Sequence, residues 1–357
     1  MDRDGFESMK AEYKRHIARK AFFIFACVLF MAVAMAVSVT IGGYDISFME
    51  VYESIYNHIV GNVPEQFSPE WYSDRIVWDV RLPRVLFAIV AGTGLAIAGV
   101  AMQSLMKNPL AEPYTTGVSS GAYLGMAVGM AMGLTVASNS FGLVGNAFLF
   151  AMVPVLLMIL FSSRLGDSVA TIILIGTALT YMFNALSMLI LVSTDADTLA
   201  NVYKWQVGTI VSLGWSELLT VAAVTVACSV TIGALSKKLN IMAMGEHNAR
   251  SLGINVRRLR TVCLTLMALM VAFIISYSGI IGFVGLICPH IIRLVIRSDN
   301  RFVIPAAAAF GSAFLLFADT VAKYLSSLDS VPVGVVCSFV GAPLFLIILI
   351  HNKRGIW

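Results

Sequence analysis

The sequence predicts an all-α polytopic membrane protein of about ten transmembrane helices. Three observations predict it. Of the 357 residues, 59% are hydrophobic and only 12% are charged, about half the charge of an ordinary soluble domain. Several uninterrupted apolar runs approach the ~20 residues that cross a bilayer as helix. Those runs are continuous rather than alternating, which excludes an outer-membrane barrel.

The elements follow in order. Residues 1–20 form a polar arm with Arg3, Lys10, Lys14, Arg15, Arg19 and Lys20. This arm is too long for a typical signal peptide and no small-residue cleavage site follows it, so the first apolar run, 21–42, reads as a retained span. Residues 43–80 are acid-rich, and Trp71, Tyr72 and Trp78 suit a membrane–water interface. Span two covers 82–106 and ends at the Pro-broken turn Lys107–Pro113. Spans three to five cover about 116–136, 142–163 and 169–193. A second acidic loop, 194–213, is expected to hold a short or re-entrant helix at Trp205–Leu213. Span six covers 214–235 and span seven 259–278. Span eight, 279–297, is expected to break at Pro289. Spans nine and ten cover about 302–323 and 333–351. The expected organisation is the arm 1–20 and a single ten-helix transmembrane domain 21–357 containing the polar island 236–260.

Ten spans place both termini on one side, and charge tests which side. Of the 24 Lys and Arg, 19 fall with the termini and 5 (Arg75, Arg81, Arg84, Lys204, Lys323) fall opposite. The positive-inside bias therefore predicts cytoplasmic termini and a cytoplasmic island. The five cysteines lie in or beside apolar segments without CxxC or Cys/His spacing, so they read as packing residues. No metal site is expected.

The island SKKLNIMAMGEHNARSLGINVRRLR is the most informative polar stretch. Gly245 and Gly253 bracket Glu246 to Leu252, about two helical turns. Glu246 would sit at the positive helix end, with Arg250 at i,i+4. Gly253 is the residue type that ends a helix left-handed. Ala249 and Leu252 share a small apolar face. So short a helix needs outside support, either from its own bundle or from a soluble partner.

Four stretches then read together: Arg81-Leu82-Pro83-Arg84; Ala91 to Ala122, containing Asn108-Pro109-Leu110-Ala111-Glu112-Pro113; Met244 to Gly253; and Gly279 to Arg293, containing Gly-Phe-Val-Gly-Leu-Ile-Cys-Pro-His. With Pro332-Val333-Gly334-Val335 and Gly341-Ala342-Pro343-Leu344-Phe345, they resemble the FecCD-type permeases of ABC importers for iron complexes, haem and cobalamin. The resemblance runs from about residue 20 to the end. It implies the type II importer permease fold in the cell membrane, a homodimer, two cytoplasmic ATPase subunits and an extracytoplasmic substrate-binding protein. The bilayer is the remaining partner, and no nucleic acid is expected. No Gly-Lys-Ser/Thr occurs, so ATP and Mg belong to the ATPase and the chain itself binds no cofactor.

By this resemblance, Met244, Gly245, Glu246, Ala249, Arg250, Ser251, Leu252 and Gly253 couple to the ATPase. Arg81, Arg84 and Lys323 meet acidic residues of the binding protein; snorkelling of long side chains is the alternative. Lys323 stands where the family has Arg, which keeps charge but loses bidentate geometry. Ser168, Val169, Ala170 and Thr171 occupy the position of a cytoplasmic gate. Gln103, Asn108, Pro109, Pro113, Pro289, His290 and Pro343 read as structural: prolines fix turns, Asn108 caps backbone groups, and Gln103 bonds a neighbouring helix. Asp319, inside span nine, is a candidate for proton coupling, but Lys323 at i,i+4 offers an ion pair instead. The expected function is ATP-driven import of a metal chelate, with no bond chemistry in this chain. An ion-coupled secondary transporter is the alternative and needs midplane ionisable groups, of which the sequence has almost none. No set of catalytic residues gathers at one depth.

Overall fold

A computed structural model describes residues 3–138, 141–166, 168–210, 213–325 and 331–351. Among the described residues every regular element is helical. The chain runs through α1 (Arg3–Thr40), α2 (Phe48–Val60), α3 (Pro69–Arg75), a π-helical stretch Ile76–Arg81, α4 (Leu82–Met106), a 3₁₀ turn Pro113–Thr116 and α5 (Val118–Met132). It continues through α6 (Phe141–Leu165), α7 (Val169–Leu191), α8 (Ala196–Gln206), α9 (Trp215–Ala234), α10 (Ser236–Ala243) and α11 (Glu246–Ser251). It ends with α12 (Val256–Ser278), α13 (Val284–Ile296), α14 (Asn300–Leu325) and α15 (Val333–His351). Seven of these segments are long and apolar enough to cross a membrane, and α5, α13 and α15 are shorter apolar helices. Together they match the ten expected spans.

The bundle is built around α4, α12 and α14, whose spans are mostly buried. Small residues let α4 touch its neighbours backbone to backbone, the form of packing available where lipid removes the hydrophobic drive. Gly92 lies against Gly311 of α14, and Gly99 against Gly285 of α13. A Cβ on Gly99 would occupy the Gly285 carbonyl oxygen. Gly99→Ala is therefore expected to lower the detergent melting temperature, costing about 1–3 kcal/mol by overpacking. Gly233→Ala, where a Cβ meets nothing, should leave it unchanged or raise it; equal effects at both positions would refute the close-packing account.

Three boundaries differ from expectation, each for a local reason. The arm 1–20 is not separate: from Arg3 it is the first half of α1, because no Gly or Pro interrupts 6–41. Its first two residues, and the tail 352–357, lie outside the described residues. The helix of the second acidic loop comes earlier than Trp205–Leu213. Asp195 caps it, accepting from the Thr198 amide at 2.9 Å, and Gly208, at φ +73°, follows its end. Beyond it Thr209 donates to Ser278 (2.7 Å) and Gly208 accepts from Gly334 (3.1 Å). That non-helical strap joins the ends of α12 and α15. Finally, Pro289 does not break α13. The carbonyl it leaves without an amide partner, that of Gly285, lies against Gly99, and neighbouring groups of this kind let Pro persist inside membrane helices.

The outer helices leave broad apolar faces uncovered. On α7 these include Leu174, Tyr181, Met188 and Leu189, and on α15 Phe339, Leu346 and Ile347.

Candidate functional site

Two polar regions stand at opposite ends of the bundle. The first is the island between α9 and α12. It holds α10, which sequence periodicity missed, as well as the expected short helix. Leu239 and Met242 anchor α10 in the core. Asn240 donates to Asp299 (2.8 Å) and accepts from the Asn300 amide (2.7 Å), clamping α10 to the loop before α14. Burial alone would raise the Asp299 carboxyl, but hydrogen bonds from Arg301 and Asn240 win and hold it at about 2. It is ionised at neutral pH.

Helix α11 is shorter than expected by one residue. Gly245 precedes it at φ +115° and Gly253 follows at φ +78°. The Ile254 amide bonds the Ala249 carbonyl and the Gly253 amide bonds the Arg250 carbonyl, both 3.0 Å. This is the Schellman pattern with Gly253 at its left-handed position. Glu246 accepts from Arg260 of α12 at 2.6 Å and sits 3.7 Å from Arg250. Its carboxylate thus ties α11 to the membrane bundle.

The expectation that Ala249 and Leu252 share one presented face is corrected. Ala249 is completely buried in its own chain, while Leu252 is 63% exposed. Leu252 ends the helix as its C-cap residue, so it no longer follows the helical register that would bring it beside Ala249. The presented surface is instead Met244 (61% exposed) and Leu252, with exposed His247, Arg250 and Ser251 between them. The Lys107 ammonium lies beside Gly245, which brings the Asn108–Pro113 turn to the same end. There Asn108 accepts from the Leu110 amide through its side chain (2.9 Å), Pro109 follows it, and Pro113 opens the 3₁₀ turn.

The exposed turn before α7 is capped by Ser168. Its hydroxyl accepts from the Thr171 amide (3.1 Å) and pairs with the Thr171 hydroxyl (2.8 Å). Val169 is half-buried and Ala170 exposed; Asp167 lies outside the described residues.

Inside the bundle near the island end, Arg293 is buried in a cage that sequence reasoning missed. It donates to Gln103, Ser104, Asn300 and the Val100 and Ser298 carbonyls, at 2.9–3.4 Å. Gln103 also donates to the Leu286 carbonyl (3.1 Å), the expected bond to a neighbouring helix. The clue in the sequence was the pair Gln103-Ser104, two hydrogen-bonding side chains at the island end of an apolar span. His290 is a packing residue: buried, edge-on to Phe345 of α15 with ring centroids 6.1 Å apart; Pro343 lies exposed inside α15.

The second region lies at the opposite end. Arg81 is buried, donating to the carbonyls of Thr40 (3.0 Å), Val39 (3.5 Å) and Tyr44. It caps the end of α1, whose last carbonyls lack helical partners. Gly42 makes room for its guanidinium. Arg84 grips one oxygen of Asp319 through Nε (2.9 Å) and a terminal nitrogen (2.8 Å). Lys323 takes the other oxygen at 2.8 Å and reaches Ser38 of α1 (3.3 Å). Asp319 is fully buried. These cations therefore hold α1, α4 and α14 together, and neither Arg81 nor Lys323 offers the free charge the docking expectation assumed. Arg84, 25% exposed, shares with them a cavity of about 930 Å³ that opens at this end.

The chain as a whole is similar to known proteins. The FecCD transport family matches residues 29–351. The molybdate import system permease MolB of Haemophilus influenzae is 30% identical over 93% of this chain and 96% of its own. The hemin transport permease HmuU of Yersinia pestis is 32% identical over 92% of this chain and 95% of its own. Among solved structures, an inward-facing ABC transporter provisionally assigned to the metal-chelate type superposes with a TM-score of 0.80 at 30% identity, covering 92% of this chain and 98% of that one. The match spans nearly the whole bundle, from α1 through the island to α15, and by it this multi-pass cell-membrane protein belongs to the FecCD transport family, the non-enzymatic permease subunits of ABC transporters.

Proposed function

We propose that two copies of this chain form the pathway of an ATP-driven importer of metal chelates. Two cytoplasmic ATPase subunits, which hold ATP and Mg, grip the island, and an extracytoplasmic binding protein delivers the cargo. A ferric siderophore, haem or a corrinoid fits this class. Relatives handle cargoes as different as hemin and molybdate, which supports leaving cargo choice to the binding protein.

One observation carries the reading: Met244 and Leu252 stand exposed at the two ends of a short helix that the Glu246–Arg260 ion pair and two positive-φ glycines fix in place. Such a knob transmits motion to α12 through the half-buried Glu246–Arg260 ion pair. The uncovered faces of α7 and α15 support a second copy. The charges inside the bundle support ATP rather than ion coupling, since Asp319 is ion-paired to Arg84 and Lys323.

Native mass spectrometry of the complex purified from its own membrane is expected to find two copies of this chain with two ATPase subunits. A lone chain that nevertheless transports would contradict the proposal. Orientation has its own test. In Glu65→Cys and Asp197→Cys, probes should label from outside the cell, whereas His247→Cys and Asn352→Cys should be reached only after permeabilisation. Outside labelling at His247 would invert the topology. The native cysteines, all buried, leave the new thiols as the reactive ones.

A further inference from the structure

Helix α2 has three faces, and only two are explained by the folded chain. Its inner face is seated. Val51 is buried, Ser54 donates to Asp74 at 2.8 Å, and His58 lies 3.1 Å from Asp74 while stacking on Trp78 at 3.9 Å. A second face carries Glu50 and Glu53, exposed beside Asn57. A third carries Phe48, Met49, Tyr56, Ile59 and Val60, all exposed and apolar. Helical spacing puts these five on one continuous stripe centred on Tyr52.

The level of that stripe is fixed by a hydrogen bond. The Tyr52 hydroxyl donates to the Ala36 carbonyl at 2.8 Å, one turn inside the end of the membrane-spanning α1. On α1 at this height Val33 and Val37 are exposed. The stripe is thus continuous with the lipid-facing surface of a span, and the link Ile41–Ile46 is itself tied down where Arg81 donates to the Tyr44 carbonyl. The capping box of Ser47 and Glu50 and the left-handed Gly61 make it a bounded helix in its own right.

We propose that α2 lies in the bilayer interface, with Phe48, Met49, Tyr56, Ile59 and Val60 sunk among the lipids of the leaflet where α1 ends, and Glu50 and Glu53 in water. Interfacial helices usually carry Lys and Arg on the polar face. Here 43–74 contains neither, only acids. The attachment is therefore apolar, and anionic lipid does not strengthen it. The anchored helix also holds His58 and Asp74 against Trp78, which stiffens the entry to α4.

The test uses the full chain in phosphatidylcholine vesicles, with a bimane fluorophore on Tyr56→Cys or on Glu53→Cys. The Tyr56→Cys probe is expected to be quenched several-fold more by lipids bearing a nitroxide near the headgroup than by aqueous iodide. The Glu53→Cys probe should show the reverse, and added phosphatidylglycerol should not increase lipid quenching. Phe48→Glu with Ile59→Glu should turn the Tyr56→Cys probe over to iodide. Equal iodide quenching of both probes would overturn the proposal. So would a Tyr56→Cys probe that becomes shielded only when a soluble protein partner is added, which would assign the stripe to docking.

Discussion

Leu252→Asp is expected to abolish ATP-driven uptake while the chain still inserts and folds. Leu252 is exposed in the isolated chain, so the substitution costs the permease itself almost nothing. In the proposed complex the same side chain is buried against the ATPase. A charge placed there without a partner costs several kcal/mol, and even 2 kcal/mol is about a thirtyfold loss of affinity. The ATPase should no longer co-purify, or should hydrolyse ATP without driving uptake. Ala249→Asp is a different experiment, because Ala249 is enclosed by its own chain. It should unseat α11 and lower the melting temperature as well. If Leu252→Asp transported normally, the island would be only a connector.

Asp319→Asn should be the most destabilising single change at the opposite end. It leaves Arg84 and Lys323 facing each other with no anion between them, and Lys323 is almost wholly enclosed. Removing one partner of a buried ion pair costs about 3–5 kcal/mol, a large share of the 5–15 kcal/mol that holds a typical protein folded. The melting temperature in detergent should fall clearly. The triple variant Asp319→Leu, Arg84→Met, Lys323→Met should recover much of it, since apolar replacement of the whole cluster removes the desolvation cost. A cluster that served only to dock a binding protein would behave oppositely: Asp319→Asn would leave stability unchanged and reduce only the stimulation of ATP hydrolysis.

The spans were legible because lipid imposes a simple rule, an apolar run long enough to cross, and composition records it directly. The Gly253 cap, the Asn108 turn and the Asp319–Lys323 pair were also legible, since each depends on residues within five positions. What could not be read was the direction in which side chains point across the bundle. Arg81 and Arg84 are three residues apart and look alike in sequence. One is turned onto carbonyls at and just beyond the end of α1 and the other onto α14, partners 37 to 42 and 235 residues distant. Arg293 reads in sequence as one more cation on the side of the termini, because its cage comes from α4, nearly two hundred residues earlier. Ala249 and Leu252 satisfied a helical spacing that α11 ends too soon to keep.

The most direct test of the central claim is uptake into vesicles containing this chain with its ATPase, loaded with ATP and given the cargo-charged binding protein, in the presence of ionophores that collapse every ion gradient. Uptake is expected to persist, and to stop when ATP is replaced by a non-hydrolysable analogue. Uptake that continues without hydrolysis and vanishes with the ion gradient would contradict ATP-driven import.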